Sequence, residues 1–580
     1  MDQKNVDFLW KIGAPAGLGV MTTGLTMSKL SLRSGMYVYD YAEYPSLIKG
    51  GHNTYECCIS TRTVTTPKKN IDCLVCFNAE TATLHAQRLT DQSLVLFDPA
   101  QFSPTTPGIQ IPVPMQELMN ELQADKVMLN MVALGASCAL LGGTLELLQT
   151  LIREQFSNKK GTEVADKNCA CAAAGFAYVT KEFPQHITSV LTTSVTQEER
   201  IALAGNEAFA LGAAGAECKL YAAYPMSPSS SVLTTLAAWQ KETGMIVRHA
   251  EDEIGVINEA LGASFMGVRA ATGTSGGGFA LMVETLSYAG VAELPLVVFV
   301  AQRPGPATGM PTWTEQGDLL FACFAGHGEF PKIVLAPGDP EDMVAQTKRA
   351  FDLADIYQLP VIILSDKNLS ESHYSVSTAR LTELMTAPNN RGKLLTQADA
   401  AYLRYAPSTD GISPRILPGT ADTYFQANSY EHLPDGHTSE DAEVRIQQVN
   451  KRDQKIKTYL SQHFQMPTQY GDTSTSNTVL ISWGGTKGAI LEAQKILAAQ
   501  GLSVEYLHFS SVYPLHAEQL QPILNQPKKY IVIENNMTNQ FAQLLKMTTG
   551  FIPTNTISRY DGRPFIGEEL AAEIRALSAT

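Results

Sequence analysis

Short apolar runs alternate with longer stretches of helical periodicity through most of this 580-residue chain. Phe8-Leu9-Trp10-Lys11-Ile12-Gly13 reads as a strand feeding the glycine-bearing loop 13–19, with a helix expected over 20–34. Leu296-Val297-Val298-Phe299-Val300 and Pro360-Val361-Ile362-Ile363-Leu364 are β-branched strands, separated by helical stretches such as 258–266 and 340–353. A proline opens the second of those helices, where its fixed φ and missing N–H cost nothing. Apolar strands between helices predict a mostly parallel sheet covered on both faces. Over 391–474 the pattern changes. Asp410-Gly411-Ile412-Ser413-Pro414-Arg415 and Glu431-His432-Leu433-Pro434-Asp435-Gly436-His437 are turn-rich, and a charged helix runs through Asn450-Lys451-Arg452. That composition predicts a long ordered connector rather than a core. Alternation resumes with Val479-Leu480-Ile481-Ser482-Trp483, Val504-Glu505-Tyr506-Leu507 and Tyr530-Ile531-Val532-Ile533-Glu534. The expected fold is multidomain α/β: units at 1–190, 191–390 and 475–580, with the connector at 391–474.

Charged residues make up only 17% of the chain, against about 25% in ordinary soluble proteins, which is compatible with large subunit interfaces. A net charge of −14 without a long basic run argues against nucleic acid as a partner. Met1-Asp2-Gln3-Lys4-Asn5-Val6-Asp7 has neither the basic start nor the apolar core of a signal peptide. The apolar stretch 127–145 carries Asn130, Ser137, Thr144 and Gly142-Gly143, and reads as a buried strand over 127–134 entering a packed helix, not a membrane span. Nine scattered cysteines without a signal peptide predict reduced thiols and a cytoplasmic protein. Cys73-Leu74-Val75-Cys76 has C-x-x-C spacing but lies in an apolar strand, where residues three apart point to opposite faces.

The chemistry-bearing segments cluster in the second unit. Tyr224-Pro225-Met226-Ser227-Pro228-Ser229-Ser230 follows a helical segment opened by Gly205-Asn206-Glu207. Two prolines stiffen the backbone around one serine hydroxyl. Downstream come Glu251-Asp252-Glu253, then Thr272-Gly273-Thr274-Ser275-Gly276-Gly277-Gly278 opening an apolar helix whose first N–H groups can receive an oxyanion. Gln302-Arg303-Pro304-Gly305-Pro306 follows a strand directly, and loops at the carboxyl ends of parallel strands bind ligands. Three acidic residues in a row also suit a helix N-terminus without any catalytic role.

This series in this order resembles the pyrimidine-binding domain of the 2-oxoacid:ferredoxin oxidoreductases, whose motif is usually Tyr-Pro-Ile-Thr-Pro. Asp40-Tyr41-Ala42-Glu43-Tyr44-Pro45-Ser46-Leu47-Ile48-Lys49-Gly50-Gly51-His52-Asn53 resembles the basic-Gly-Gly loop of the family's gamma subunit, here fused at the N-terminus. Residues 475–580 look like the transketolase C-terminal domain. The resemblance implies a subunit that oxidatively decarboxylates 2-oxoglutarate to succinyl-CoA, CO2 and reduced ferredoxin, or runs the reverse carboxylation. Pyruvate or branched-chain 2-oxoacids are the alternatives, as is a thiamine-dependent transferase or decarboxylase without electron transfer. It implies thiamine diphosphate held through Tyr224, Pro225, Met226, Thr274 and Ser275. Glu253, with Glu251 as the second candidate, is the carboxylate for the aminopyrimidine. Arg303 and Ser227 face the substrate, and Lys49 the substrate or coenzyme A. No Gly-Asp-Gly segment occurs, Gly317-Asp318-Leu319 and Gly338-Asp339-Pro340 both lacking the third glycine, and no ferredoxin-like cysteine run is present. Mg2+, the diphosphate site and a 4Fe–4S iron–sulfur cluster are therefore expected on a beta subunit in an (alpha–beta)2 assembly, with no metal site on this chain.

Overall fold

The computed structural model describes residues 6–46, 51–192, 198–399, 401–471 and 476–579. The chain divides into two compact units, one of Met1–Leu203, Ser372–Thr378 and Phe565–Leu570, the other of Ala204–Glu371, Ala379–Pro564 and Ala571–Thr580.

The first unit is built on an eight-stranded mixed sheet in the order Ile109–Pro112, Leu89–Phe97, Ile71–Cys76, Asp7–Pro15, His52–Ser60, Tyr37–Glu43, His373–Ser377, Arg200–Ala204. The first strand is buried along most of its length, and the helix Val20–Arg33 follows it as the periodicity predicts. Cys73 and Cys76 lie in the buried parallel strand Ile71–Cys76, and burial pushes both thiols up, away from the thiolate form. All nine cysteines are free and buried.

One element differs from its sequence reading. The stretch expected as a strand over 127–134 is a single 3-10 turn, Lys126–Met128, leading into the helix Leu129–Leu140. All but the first residue of that helix are buried. Its small residues explain the outcome. A Cβ on Gly135 would lie 1.8 Å from the Ala172 carbonyl oxygen, and one on Gly175 would lie 2.0 Å from that of Val132. The helix thus packs backbone to backbone on Thr162–Glu182, and Ala and Gly permit a proximity that β-branched residues would block. Among the described residues no helix is long and apolar enough to cross a membrane.

The second unit contains two sheets. Seven strands run in the order Ser511–Tyr513, Ile333–Leu335, Pro360–Asp366, Leu296–Gln302, Ala270–Thr274, Leu220–Ala223, Ile246–His249; only Ser511–Tyr513 is antiparallel to its neighbour. Five strands form the other sheet: Thr468–Tyr470, Glu505–Phe509, Thr478–Trp483, Lys529–Glu534 and Asn555–Ser558. One hydrophobic core runs through both, from Val298 and Ile362 to Trp483 and Val532.

The turn-rich stretch takes a larger share of this interior than its composition predicts. Arg404, Tyr405, Arg415, Lys451, Lys455 and Tyr459 are all buried. Glu293 receives Lys451 and Lys455, each at 2.6 Å, and Asp355 receives Arg269, Arg391 and Arg415 at 2.7–3.0 Å. Ion pairing lets charges into a core that single-residue polarity would keep out.

Candidate active site

Four neighbouring parallel strands, Ile246–His249, Leu220–Ala223, Ala270–Thr274 and Leu296–Gln302, end along one edge of the seven-stranded sheet. A parallel sheet points every carboxyl end the same way, so the four segments that follow converge.

The first is the loop carrying Tyr224, Pro225, Met226 and Ser227. Asn206, fully buried at the start of the helix Gly205–Gly215, donates through Nδ2 to the Pro228 carbonyl and to Ser231 Oγ, both at 2.7 Å. Ser229 Oγ donates to the Met226 carbonyl at 2.8 Å. Tyr224 and Pro225 face solvent, whereas Met226 and Ser227 are half-buried, with Thr274 Oγ1 at 3.9 Å from Met226 Sδ.

Arg303 comes from the fourth strand end. Its Nη1 donates to the Ser227 carbonyl oxygen at 2.7 Å, which brings two of the sequence-predicted residues into direct contact. Burial lowers the Arg303 pKa, and the charge of Asp318 opposes that shift. Asp318 is held by its backbone N–H on the Oε1 of buried Gln302, at 2.9 Å. A Cβ on Gly276 would lie 2.4 Å from its carboxylate, so Asp318 packs on the opening turn of the helix Gly276–Val291. Burial pushes its carboxyl up to about 6, with Arg303 pulling the other way.

The acidic trio divides by position. Asp252 is the exposed N-cap of the helix Glu253–Phe265, its Oδ1 accepting from the Gly255 N–H at 2.7 Å. Glu251 is exposed as well. Glu253 turns inward and is only 4% exposed, and its Oε1 is buried with no hydrogen-bond partner among the described residues. A Cβ on Gly278 would sit 2.5 Å from that oxygen and 2.1 Å from Thr274 Oγ1. Glycine is therefore required where the carboxylate crosses the next helix. Ser275 Oγ, fully buried at the start of that helix, also lacks a partner among the described residues. Buried polar groups gain from a partner, and these two, beside one helix N-terminus, are the ones a polar ligand entering this sheet edge would satisfy.

The structure thus brings Ser227, Arg303, Met226, Thr274, Ser275 and Glu253 to one sheet edge. Lys49 lies outside the described residues. Sequence reasoning gave no role to Asn206, Gln302 or Asp318. Asn206 and Gln302 lie in the segments Gly205-Asn206-Glu207 and Gln302-Arg303-Pro304-Gly305-Pro306 without a role of their own in either, and Asp318 enters only in Gly317-Asp318-Leu319, an incomplete diphosphate motif.

Comparison with known proteins bears on this arrangement. Residues 211–451 match the family described as pyruvate flavodoxin/ferredoxin oxidoreductase, thiamine diphosphate-binding, and residues 9–178 match pyruvate ferredoxin/flavodoxin oxidoreductase. A 2-oxoacid:ferredoxin oxidoreductase subunit alpha from a Sulfolobus species is 32% identical over 97% of this chain and 95% of its own length. The chain belongs to the 2-oxoacid:ferredoxin oxidoreductase family. A solved 2-oxoglutarate:ferredoxin oxidoreductase from Magnetococcus marinus, with 2-oxoglutarate, coenzyme A and succinyl-CoA bound, superposes with a TM-score of 0.89 at 29% identity, covering 98% of this chain and 99% of that one. The 2-oxoglutarate oxidoreductase subunit KorA of Mycobacterium tuberculosis is 31% identical over 78% of this chain and 68% of its own. As an oxidoreductase of this family, the chain carries its thiamine diphosphate-binding domain across the strand-end site. The donor set fits the pyrimidine half of that cofactor in kind: a buried carboxylate oxygen and a buried hydroxyl, both unpartnered among the described residues, are groups that a ring nitrogen and an amine would take up. No group of three metal-ligating side chains exists among the described residues.

Proposed function

We propose that this chain is the alpha-type subunit, with a gamma-type domain at 1–190, of an enzyme that decarboxylates 2-oxoglutarate to succinyl-CoA and passes the electrons to ferredoxin. The observation that carries the reading is the buried, unpartnered Glu253 oxygen at the same sheet edge as the Arg303–Ser227 contact, where four parallel strands end. The relatives named for 2-oxoglutarate support the substrate.

Thiamine diphosphate, when bound, supplies the nucleophilic carbon that attacks the keto group and accepts the electron pair left by CO2. The chain's own residues have narrower tasks. Glu253 holds or releases a proton at its Oε1, and its low-dielectric setting makes any hydrogen bond it gains a strong one. Arg303 draws the substrate carboxylate with the guanidinium N–H groups that the Ser227 carbonyl leaves free. The Ser227 hydroxyl serves the keto oxygen. Asn206 keeps the loop in register for both. Lys49 is the chain's candidate for coenzyme A or for the distal carboxylate. The missing metal-ligand and cluster motifs support a beta subunit that supplies Mg2+, the diphosphate site and the 4Fe–4S cluster, in an (alpha–beta)2 complex in the cytoplasm.

Steady-state assays of the purified complex with 2-oxoglutarate, pyruvate and 2-oxoisovalerate, coenzyme A and ferredoxin test this directly. The highest kcat/KM is expected for 2-oxoglutarate. A preference for pyruvate or 2-oxoisovalerate would overturn the substrate, and failure to reduce ferredoxin with any of them would overturn the reaction.

A further inference from the structure

Six lysines are buried in the described residues, and five of them have their charge met. Lys11 pairs with Glu56 at 3.1 Å, Lys451 and Lys455 pair with Glu293, and Lys367 pairs with Glu371 at 3.6 Å. Lys348 donates to three backbone carbonyls, those of Gly215, Met385 and Ala387, at 2.9–3.1 Å. Lys332 is the exception. It is 6% exposed, and its Nζ has one hydrogen bond, to the Cys323 carbonyl, at the long distance of 3.4 Å. The ammonium also lies over the Phe330 ring, whose centroid is 4.2 Å from Nζ. Burial holds the neighbouring Cys323 as a thiol, so it supplies no counter-charge. A buried ammonium with so little compensation is costly unless something else supplies an anion.

Lys332 also lines a cleft of about 520 Å³, bounded by Phe324, Phe330, Tyr513, Val449 and Ile456. Other charges at the cleft are spoken for or exposed: Arg452 binds Glu431 through two bonds at 2.8–2.9 Å, Asp453 pairs with Lys457 at 2.9 Å, and Glu329 faces solvent. Lys332 immediately precedes the strand Ile333–Leu335, which runs parallel to Pro360–Asp366, so the cleft opens at the amino-terminal edge of the sheet, opposite the strand ends described above. We propose that this cleft binds a small organic anion, with a carboxylate or phosphate on the Lys332 ammonium and an apolar body against Phe324, Phe330 and Tyr513. Burial lowers the Lys332 amine to about 8, which leaves it cationic for such a ligand yet partly reactive near neutral pH.

Pyridoxal phosphate is a fitting probe, since it joins an anion and an aromatic ring to an aldehyde that forms an imine with an unprotonated amine. The purified complex is treated with it near neutral pH, reduced with borohydride and mapped by peptide mass spectrometry. Lys332 should be labelled ahead of the exposed Lys241, and phenyl phosphate should protect Lys332 by about tenfold without protecting Lys241. Lys332→Met should keep or raise the Tm of the ligand-free protein and abolish the rise that phenyl phosphate produces in the wild type. Lys348→Met, which strands three carbonyls, should lower the Tm. Labelling of Lys332 no faster than Lys241, labelling indifferent to phenyl phosphate, or a loss of Tm in Lys332→Met matching that of Lys348→Met would each overturn the proposal.

Discussion

Glu253 owes its isolation to two neighbours, Gly278 and Asp252. Gly278 clears the space its carboxylate enters, and Asp252 takes over the helix cap that an acidic first residue would otherwise serve. Replacing Glu253 by Gln is nearly isosteric at a helix start, so denaturant unfolding should move by about 1 kcal/mol or less. Turnover should fall by about 100-fold or more if the carboxylate moves a proton. Near wild-type kcat in Glu253→Gln would remove that role. Asp318 makes a pH-dependent prediction. Its carboxyl titrates near 6, charged above and neutral below, and its negative charge competes for Arg303 with an incoming carboxylate. KM for the 2-oxoacid should therefore fall as pH drops through that value, by about three- to tenfold for one partly screened charge. Asp318→Asn should keep the low KM throughout, and a profile unchanged by the substitution would dissociate the two groups.

At the scale of elements, strands such as Leu296–Gln302 and Pro360–Asp366 were readable because they are apolar runs, and helices such as Pro340–Tyr357 because glycine, proline or an acidic cap marks where they begin. Polar strands such as His52–Ser60 and His373–Ser377 gave no such signal. The Leu129–Leu140 helix was not readable that way. A helix buried on every side loses the polar stripe that distinguishes it from a buried strand, and only the Ala and Gly content hinted at backbone proximity. The site segments announced themselves as loops after strands, whereas Asn206 did not, because nothing local shows that a helix-opening amide will reach a loop more than twenty residues away. That reach is testable. Asn206→Ala removes two donors and leaves the Pro228 carbonyl and Ser231 hydroxyl unserved, at a cost of about 1–3 kcal/mol. Because the loop positions Ser227 and Arg303, KM should rise more than the stability loss alone accounts for. An unchanged KM in the folded variant would reduce Asn206 to a structural clamp.

Over the whole chain, composition misjudged residues 391–474 because ion pairs are formed across long sequence separations that no local window contains. Glu293 meets Lys451 and Lys455 only when the charged helix Ala442–Gln462 docks. Burial and the adjacent Lys451 push the Lys455 amine down to about 7, below its unfolded value. Between that pH and the ordinary lysine range the unfolded chain binds the extra proton, so stability should rise as pH increases above about 7. Glu293→Gln, which leaves two buried ammonium groups facing each other, should cost about 3–5 kcal/mol in denaturant unfolding. A loss under about 1 kcal/mol would mean the cluster is hydrated and contributes little.

The strand Ser511–Tyr513 has a consequence for how this protein can be taken apart. It follows Glu505–Phe509 of the five-stranded sheet almost at once, yet it hydrogen-bonds to Ile333–Leu335 at the edge of the seven-stranded one. The polypeptide is stitched across what looks in the sequence like a domain seam. Expressed alone, residues 475–580 would carry an orphan edge strand with bare N–H and C=O groups, and the remainder would expose the edge it left behind. Fragments cut at that seam should aggregate as separate pieces and regain solubility when coexpressed.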